Sequence, residues 1–253
     1  MRYEGANFNQ STKVWLDSSG NNRHIAFQGS PASVMTVPNQ FGSSQSFAVV
    51  IGSTNDSVVF GNPSLPEYTL IHVCRYQGWT FNRIIQSPTV NWISGFTGEC
   101  IRCAFHSVKW ITPHNIAPTT NWILSIDMKQ RFLSDGVDMT TAGVTDSADL
   151  PPLSINIGMF QENSNWQIAE IIIFNVALSS SHVQEMGPML ASKYGLTTYF
   201  TGPTFNPSTV PRYAPTIGTF LLTFLCFLCD IYLYSFYNHL LFDIFSPLFL
   251  FDS

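Results

Sequence analysis

Charge is what this 253-residue chain has least of: Asp, Glu, Lys and Arg make up 11% of it, against 45% hydrophobic residues. The 11 basic residues form no run anywhere. Nucleic-acid binding depends on a concentrated positive face, so no nucleic-acid partner is expected. The acidic residues are equally scattered. No two of the 16 stand at i, i+2 or i, i+4, the spacings that would bring two carboxylates onto one face of a strand. A retaining glycoside hydrolase needs its two carboxyls about 5–5.5 Å apart, and no single strand here can supply them. No Ser-His-Asp or Cys-His arrangement has a local signature either. The chain is therefore not expected to be an enzyme, although a composite site built from two strands stays open. An apolar leader is missing as well, since Met1-Arg-Tyr-Glu-Gly5 opens on polar, domain-like sequence. Two expectations follow: the secretory route is reached through the C-terminal segment, or an original start has been lost.

Cysteine is scarce and odd in number: Cys74, Cys100, Cys103, Cys226 and Cys229 give no complete disulfide framework. Cys100-Ile-Arg-Cys103 is a C-x-x-C, with His106 and His114 after it. A zinc site would want a second such pair, and Cys226/Cys229 lies in an apolar segment. The preferred reading is small side chains in a strand. Two Asn-x-Ser sequons, at Asn9 and Asn55, are no more than a chain with 17 asparagines would hold by chance.

What the chain does have is β-forming sequence at short, regular spacing. Runs such as 24–27, 33–37, 47–51, 57–60, 67–76, 80–86, 90–96, 99–106, 122–128, 129–133 and 153–159 are bounded by Gly, Pro, Asn or Ser. Asp135-Gly136 reads as a hairpin turn into 137–141. Repeats of about 8–12 residues without a helical pattern point to an all-β sandwich or jelly roll. Its centre is Trp166–Leu196. Alternation puts Trp166, Ile168, Glu170, Ile172 and Phe174 on one face and Ala169, Ile171 and Ile173 on the other. A strand apolar on both faces is covered above and below. Ser179 then stands as an N-cap, Val183, Met186, Leu190 and Tyr194 recur at helical spacing, and Gly195 closes the helix.

Beyond residue 196 the character changes. Pro203, Pro207, Pro211 and Pro215 make 197–216 an extended stalk. Residues 217–237 are apolar over about the 20 positions a membrane-spanning helix needs, with Asp230 as the single charge. An apolar tail, 238–253, follows. Between Ala214 and Ser253 there is no Lys or Arg, and eight of the chain's 21 phenylalanines lie there. A single-pass C-terminal anchor is the preferred reading. A tail translated from a non-coding or shifted frame is the alternative, and the proline stalk argues against a buried element of the domain. Only Arg212 bears on orientation, so the side of the membrane is not determined.

Two end motifs carry a family resemblance. Trp15-Leu-Asp17-Ser-Ser-Gly20-Asn21 resembles the opening of laminin-G-like domains of the concanavalin A-like lectin/glucanase superfamily. Asn165-Trp166, Ala169-Glu170-Ile171-Ile172-Ile173-Phe174-Asn175, Leu178-Ser179 and Tyr194-Gly195 resemble their closing module. The likeness spans about residues 3–196. It implies a jelly roll of two antiparallel sheets with one short C-terminal helix. It also implies glycan or protein recognition at edge loops or on the concave face, often with calcium. The laminarinase-type Glu-x-Asp-x-x-Glu is absent. Three departures stand out. His182 replaces the glutamate of the helix's capping box, Gly187-Pro188 interrupts the helix, and the chain begins so near Trp15 that an upstream strand is expected to be missing.

The site expectations are as follows. Trp79 follows Gly78 in a turn, where an indole is hard to bury. Trp92 stands beside Asn91, and Trp110 beside Lys109. Sugars stack their apolar faces on exposed indoles, with amides taking the hydroxyls, so Trp79, Asn91, Trp92 and Trp110 are the carbohydrate-binding candidates. Asp135 and Asp138, in an acid-rich loop region with Asp146 and Asp149, are the calcium candidates. Trp15, Asp17, Trp166 and Glu170 are given structural roles, Glu170 accepting bonds from backbone amides or from Arg75 or Arg23. The functional expectation is a non-catalytic, lectin-like module binding a glycan or glycoprotein, extracellular and held at a membrane by 217–237. Protein–protein adhesion without sugar binding is the alternative.

Overall fold

The protein's computed structural model describes residues 1–28, 33–98, 100–144 and 148–200. Among them are sixteen strands. The first eight are β1 (Arg2–Asn9), β2 (Val14–Asp17), β3 (Ile25–Ala26), β4 (Ser33–Val37), β5 (Phe47–Gly52), β6 (Val58–Val59), β7 (Thr69–Tyr76) and β8 (Ile85–Gln86). The next eight are β9 (Trp92–Thr97), β10 (Cys100–His106), β11 (Lys109–Trp110), β12 (Ile123–Met128), β13 (Arg131–Ser134), β14 (Val137–Asp138), β15 (Ser154–Ile155) and β16 (Trp166–Phe174). One helix, α1 (Ser180–Lys193), follows them. Ten strands form one sheet, in the order β14-β13-β12-β7-β16-β1-β2-β3, with β5 also on β16 and β4 on β5. Six form the other, β11-β10-β9-β8-β15-β6. All strand pairs are antiparallel.

Apolar side chains from both sheets fill the space between them, including Tyr3, Trp15, Leu70, Tyr76, Trp92, Phe96, Ile168, Ile171 and Ile173. A second core lies between the ten-stranded sheet and α1, where Ile71, Val73, Leu124, Ile126, Ala169 and Ile172 meet Val183, Leu190, Tyr194 and Phe200. Strand β16 belongs to both cores, which is why its sequence is apolar on both sides. Each fully buried isoleucine contributes about 1.5–3 kcal/mol of transfer free energy.

The alternation read from the sequence does not run unbroken. A bulge between Ile168 and Glu170 shifts the register of β16 against β7. After it, Ile171 and Ile173 face the inter-sheet core with Trp166 and Ile168, while Ile172 faces the helix. The bulge falls where β16 exchanges β5 for β1 as its neighbour. It carries Glu170 to the helix side, where Arg2 Nε (2.6 Å), Lys193 Nζ (2.8 Å) and Tyr194 Oη (2.6 Å) all donate to it. The partners are thus Arg2 and the end of α1. Arg75 is instead bonded to Gln167 and the Thr120 carbonyl. Strand β1 supplies Arg2 and pairs with both β16 and β2.

Helix α1 opens as expected on Ser179, whose hydroxyl accepts the His182 N–H, and it continues through Pro188 without a break. Gly187 has a packing reason: a Cβ placed there would lie 2.4 Å from Phe200 Cδ1. Packing therefore extends past residue 196. The Tyr199 N–H donates to the Asp135 carbonyl and the Phe200 ring is buried against α1. Asp135-Gly136 forms the anticipated hairpin turn, with both residues at positive φ. Cys100 and Cys103 stand buried in β10 as the preferred reading placed them, but they are joined in a disulfide that it did not foresee, which removes the zinc reading. The bridge spans a bulge between Ile101 and Ala104. Among the described residues no helix is long and apolar enough to cross a membrane. The expected span, 217–237, the tail, 238–253, and the stalk beyond Phe200 lie outside the described residues.

Helix propensity alone favours alanine over glycine by about 1 kcal/mol, but Phe200 reverses the sign at position 187. We predict that G187A lowers the thermal midpoint and that F200A costs about 3–5 kcal/mol. Adding G187A to F200A should be neutral or stabilising. Thermal denaturation of the double-mutant cycle checks this, and additive losses would contradict the packing account.

Candidate functional site

Three loops meet at one end of the sandwich: 53–56 after β5, 77–84 between β7 and β8, and 156–165 between β15 and β16. Asparagine ties them together, since its amide offers donors and acceptors at once and tolerates left-handed backbone. Asn156, at φ 53°, donates to the carbonyls of Ser53 (2.8 Å) and Ser164 (2.9 Å). The Thr54 N–H donates to Asn165 Oδ1 (3.0 Å), and Asn163 donates to the Thr54 carbonyl (3.2 Å). The Asn82 N–H reaches Ser164 Oγ at 2.7 Å, and the amides of Gln77 and Arg83 bond to the carbonyls of Asn165 and Glu162.

On this laced base stands Trp79, 86% exposed. Gly78 before it takes φ 79°, a left-handed turn conformation that favours glycine. The indole rests edge-on against Phe81 (6.0 Å between centroids), and Phe81 against the buried Tyr76 (5.0 Å). The Tyr76 hydroxyl donates to the carbonyls of Asn82 (2.5 Å) and Thr97 (3.0 Å), and burial pushes its pKa up. The indole is therefore fixed at its root and open on its face. The neighbouring loop adds Met159 and Phe160, each about half exposed. The Phe160 ring lies over the Arg83 guanidinium at 4.9 Å. Arg83 is pinned from two further sides, by Glu162 Oε2 (2.6 Å) and by Asn91 Oδ1 (2.7 Å). The result is an aromatic platform edged by amides, the composition that receives the apolar face of a sugar ring and its hydroxyls.

Of the sequence candidates, the structure brings Trp79 to this rim and Asn91 to its edge. Trp92 is fully buried and stacks on His106 at 5.2 Å, so it has no face for a ligand. Trp110 lies on the outermost strand of the six-stranded sheet, stacked on His114 at 4.6 Å, and is not part of the rim. Asp135 is buried, accepting the Leu124 N–H (2.9 Å) and facing Arg102 (2.6 Å); burial raises its pKa against that guanidinium. Asp138 is held by Arg131 (2.8 Å) and by Thr140. Both carboxylates therefore face guanidinium groups of the chain itself. Among the described residues no three His, Cys, Asp or Glu side chains gather as a metal site.

Phe160, Arg83 and Glu162 were missed in the sequence. Met159 read as the end of a strand spanning 153–159, whereas β15 is only Ser154–Ile155. The signal that could have found the loop is Gly158-Met-Phe-Gln-Glu-Asn-Ser-Asn165, two apolar residues inside a turn-rich run.

Chemistry-bearing side chains elsewhere are internally occupied. His106 Nε2 lies 3.0 Å from Asp127 Oδ1, and Tyr68 lies beyond its other nitrogen, but all three are buried between the sheets. Burial drives His72 down to about 3, so it is neutral. A cavity of about 350 Å³ beside α1 is lined by Met1, Ile172, Ile173, Phe174, Met186 and Met189, with Arg2, Ser19, Asn21 and Asn175 as its polar members. Trp15 donates to the Glu4 carbonyl (2.7 Å), and Trp166 stacks on Phe27 (5.8 Å). Asp17 accepts the N–H groups of Arg2 (2.8 Å), Ser19 (3.0 Å) and Arg23 (3.1 Å).

Neither a family model nor a curated protein sequence matches this chain. Solved structures do. A botulinum neurotoxin type C chain, described as depending on two ganglioside molecules for entering cells, superposes with TM-score 0.49 at 14% identity over 75% of this chain. This chain spans 50% of that one. Domain 4 of an extracellular arabinanase from Geobacillus stearothermophilus, in complex with arabinotriose, gives 0.48 at 14% identity, covering 74% of this chain and 96% of the other. Trypanosoma rangeli sialidase with sialic acid gives 0.49 at 10% identity over 78% of this chain and 33% of its own. What those proteins bind is stated of them alone.

Burial opposes the charge on Asp17, but the amide donors of Arg2, Ser19 and Arg23 and the Ser19 side chain prevail and hold its pKa at about 2, below the ordinary aspartate range. A carboxyl depressed on folding stabilises above its unfolded pKa, and that stability is lost as pH falls through the folded value. We predict that D17N costs about 2 kcal/mol at neutral pH, and that the loss disappears as pH falls from about 4 towards 2. Urea unfolding across that window checks it. A pH-independent difference would show that the amide cage acts without the charge.

Proposed function

We propose that this chain is a non-catalytic glycan-recognition module whose contact surface is the loop rim around Trp79. One observation carries the reading: a large indole stands almost wholly in water on a base too tightly bonded to be a floppy surface loop. Leaving such a side chain exposed forgoes about 1.5–3 kcal/mol of burial, a cost that a ligand's apolar face offsets.

Absence of catalysis is part of the proposal. Glu4 and Glu170 stand opposite each other in the β1–β16 register. Both are bridged by Lys193 and Arg2, and Glu170 is buried. Carboxylates so neutralised beneath a helix are unsuited to acid–base work on a sugar. The Cys100–Cys103 disulfide supports an extracellular setting, and the apolar run 217–237 supports tethering to a membrane. Glycans or glycoproteins are then met at a cell surface. A protein partner is the second reading, favoured by the exposed Met159 and Phe160 beside Trp79.

The test is a glycan array and titration calorimetry on the wild type and W79A. Trp79 is exposed, so its removal should leave the thermal midpoint within about 0.5 kcal/mol of wild type. Glycan affinity should fall more than tenfold, about 1.4 kcal/mol. A blank array, or equal binding by W79A, would sink the proposal.

A further inference from the structure

The charges of the rim narrow the class of sugar. Among the described residues the loops 53–56, 77–84 and 156–165 hold three charged side chains: Asp56, Arg83 and Glu162. Asp56 is buried and accepts from the Ser53 amide (2.7 Å) and hydroxyl (2.8 Å). Arg83 is the rim's single cation and is about nine-tenths buried. Its guanidinium is engaged by Glu162 at 2.6 Å, by Asn91 at 2.7 Å and by the Phe160 ring above it. Glu162 keeps 46% of its side chain in solvent.

An acidic sugar approaching Trp79 would therefore meet no free cation on these loops, and one exposed carboxylate. Recognition of carboxylate, sulfate or phosphate draws on charge-assisted donors, above all the bidentate arginine fork. Here the one guanidinium already faces an internal acid through Nε and donates to Asn91 through Nη1. A like charge near the ligand works the other way, as a discriminating element against anionic competitors. The remaining polar side chains of these loops are amides and hydroxyls, among them Asn55, Gln77, Thr80, Asn82 and Gln161, suited to uncharged hydroxyls.

From these contacts we infer that the Trp79 rim selects neutral glycans and rejects sialylated, uronic-acid or sulfated ones, with the Arg83–Glu162 pair as the specificity-determining element. The inference rests on the glycan-binding reading and deepens it. It assigns Glu162 two parts, neutralising Arg83 and repelling anions. Both parts change together in E162Q, which leaves an isosteric amide at a half-exposed position.

The experiment uses the 253-residue chain on an array of matched pairs: neutral oligosaccharides, such as lactose-terminated ones, beside their sialylated and sulfated counterparts, at low and physiological salt. Wild type should bind neutral members at least tenfold better than their anionic partners, and the gap should widen at low salt. E162Q should narrow the gap at least threefold by gaining anionic ligands while keeping the neutral ones. Preference for anionic members by the wild type, or an unchanged gap in E162Q, overturns the inference while leaving glycan binding intact. Absence of binding to every member overturns both.

Discussion

Everything on the helix side of this sandwich turns on one buried carboxylate. Glu170 is an ionisable group in the middle of the most apolar strand, almost inaccessible to water. A charge so placed is tolerated only when fully paired. Three donors from two distant parts of the chain meet it: Arg2 from β1, and Lys193 and Tyr194 from the end of α1. The Tyr194 hydroxyl is held protonated, its pKa raised first by burial and then by the facing carboxylate. The bulge in β16 follows from the same requirement. Without it Glu170 would share a face with Trp166 and Ile168, between two sheets of hydrocarbon. The interaction therefore fixes where β16 breaks its alternation, where α1 ends against the sheet, and where β1 enters it.

The loop end of the sandwich is held largely by the amides of asparagine, beside one Arg83–Glu162 ion pair. Asn156, Asn163 and Asn165 join three loops through bonds to backbone groups, each worth about 1 kcal/mol net. A base made of many local bonds is rigid without burying much apolar surface. That is the condition for holding an aromatic side chain outward, since a mobile loop would fold its indole back onto the nearest hydrophobic patch. Trp79 and Phe160 stand outward on loops tied to one another by these bonds.

Much of the fold was legible because hydrophobic alternation and turn residues are local signals. Strand β4 and the Asp135-Gly136 hairpin stand where the sequence placed them, and Ser179 caps α1 as read. What escaped depends on contacts between residues far apart. The glycine of α1 looked like a break, and it is an indentation for Phe200, thirteen positions on. Trp92 and Trp79 looked alike as tryptophans near asparagine or turns, and only the stacking of His106 on Trp92 separates core from surface. The Cys100–Cys103 bridge forms across a strand bulge that has no sequence signature. Glu170 was rightly seen to need a partner, but its arginine is Arg2 of β1 and not Arg75 or Arg23.

The distribution of satisfied and unsatisfied groups then separates structure from function. Residues that carry chemistry elsewhere are paired within the protein: His106 with Asp127, Asp135 with Arg102, and Glu4 and Glu170 each with Arg2 and Lys193. Breaking a buried pair of this kind leaves an uncompensated charge and typically costs 3–5 kcal/mol, so these groups constrain the fold and are poorly placed to meet a substrate. At the loop rim the exposed apolar side chains Trp79, Met159 and Phe160 stand together. A surface whose unmet requirement is hydrophobic, framed by amides and with its only cation internally neutralised, is suited to a ligand that is flat, hydroxylated and uncharged.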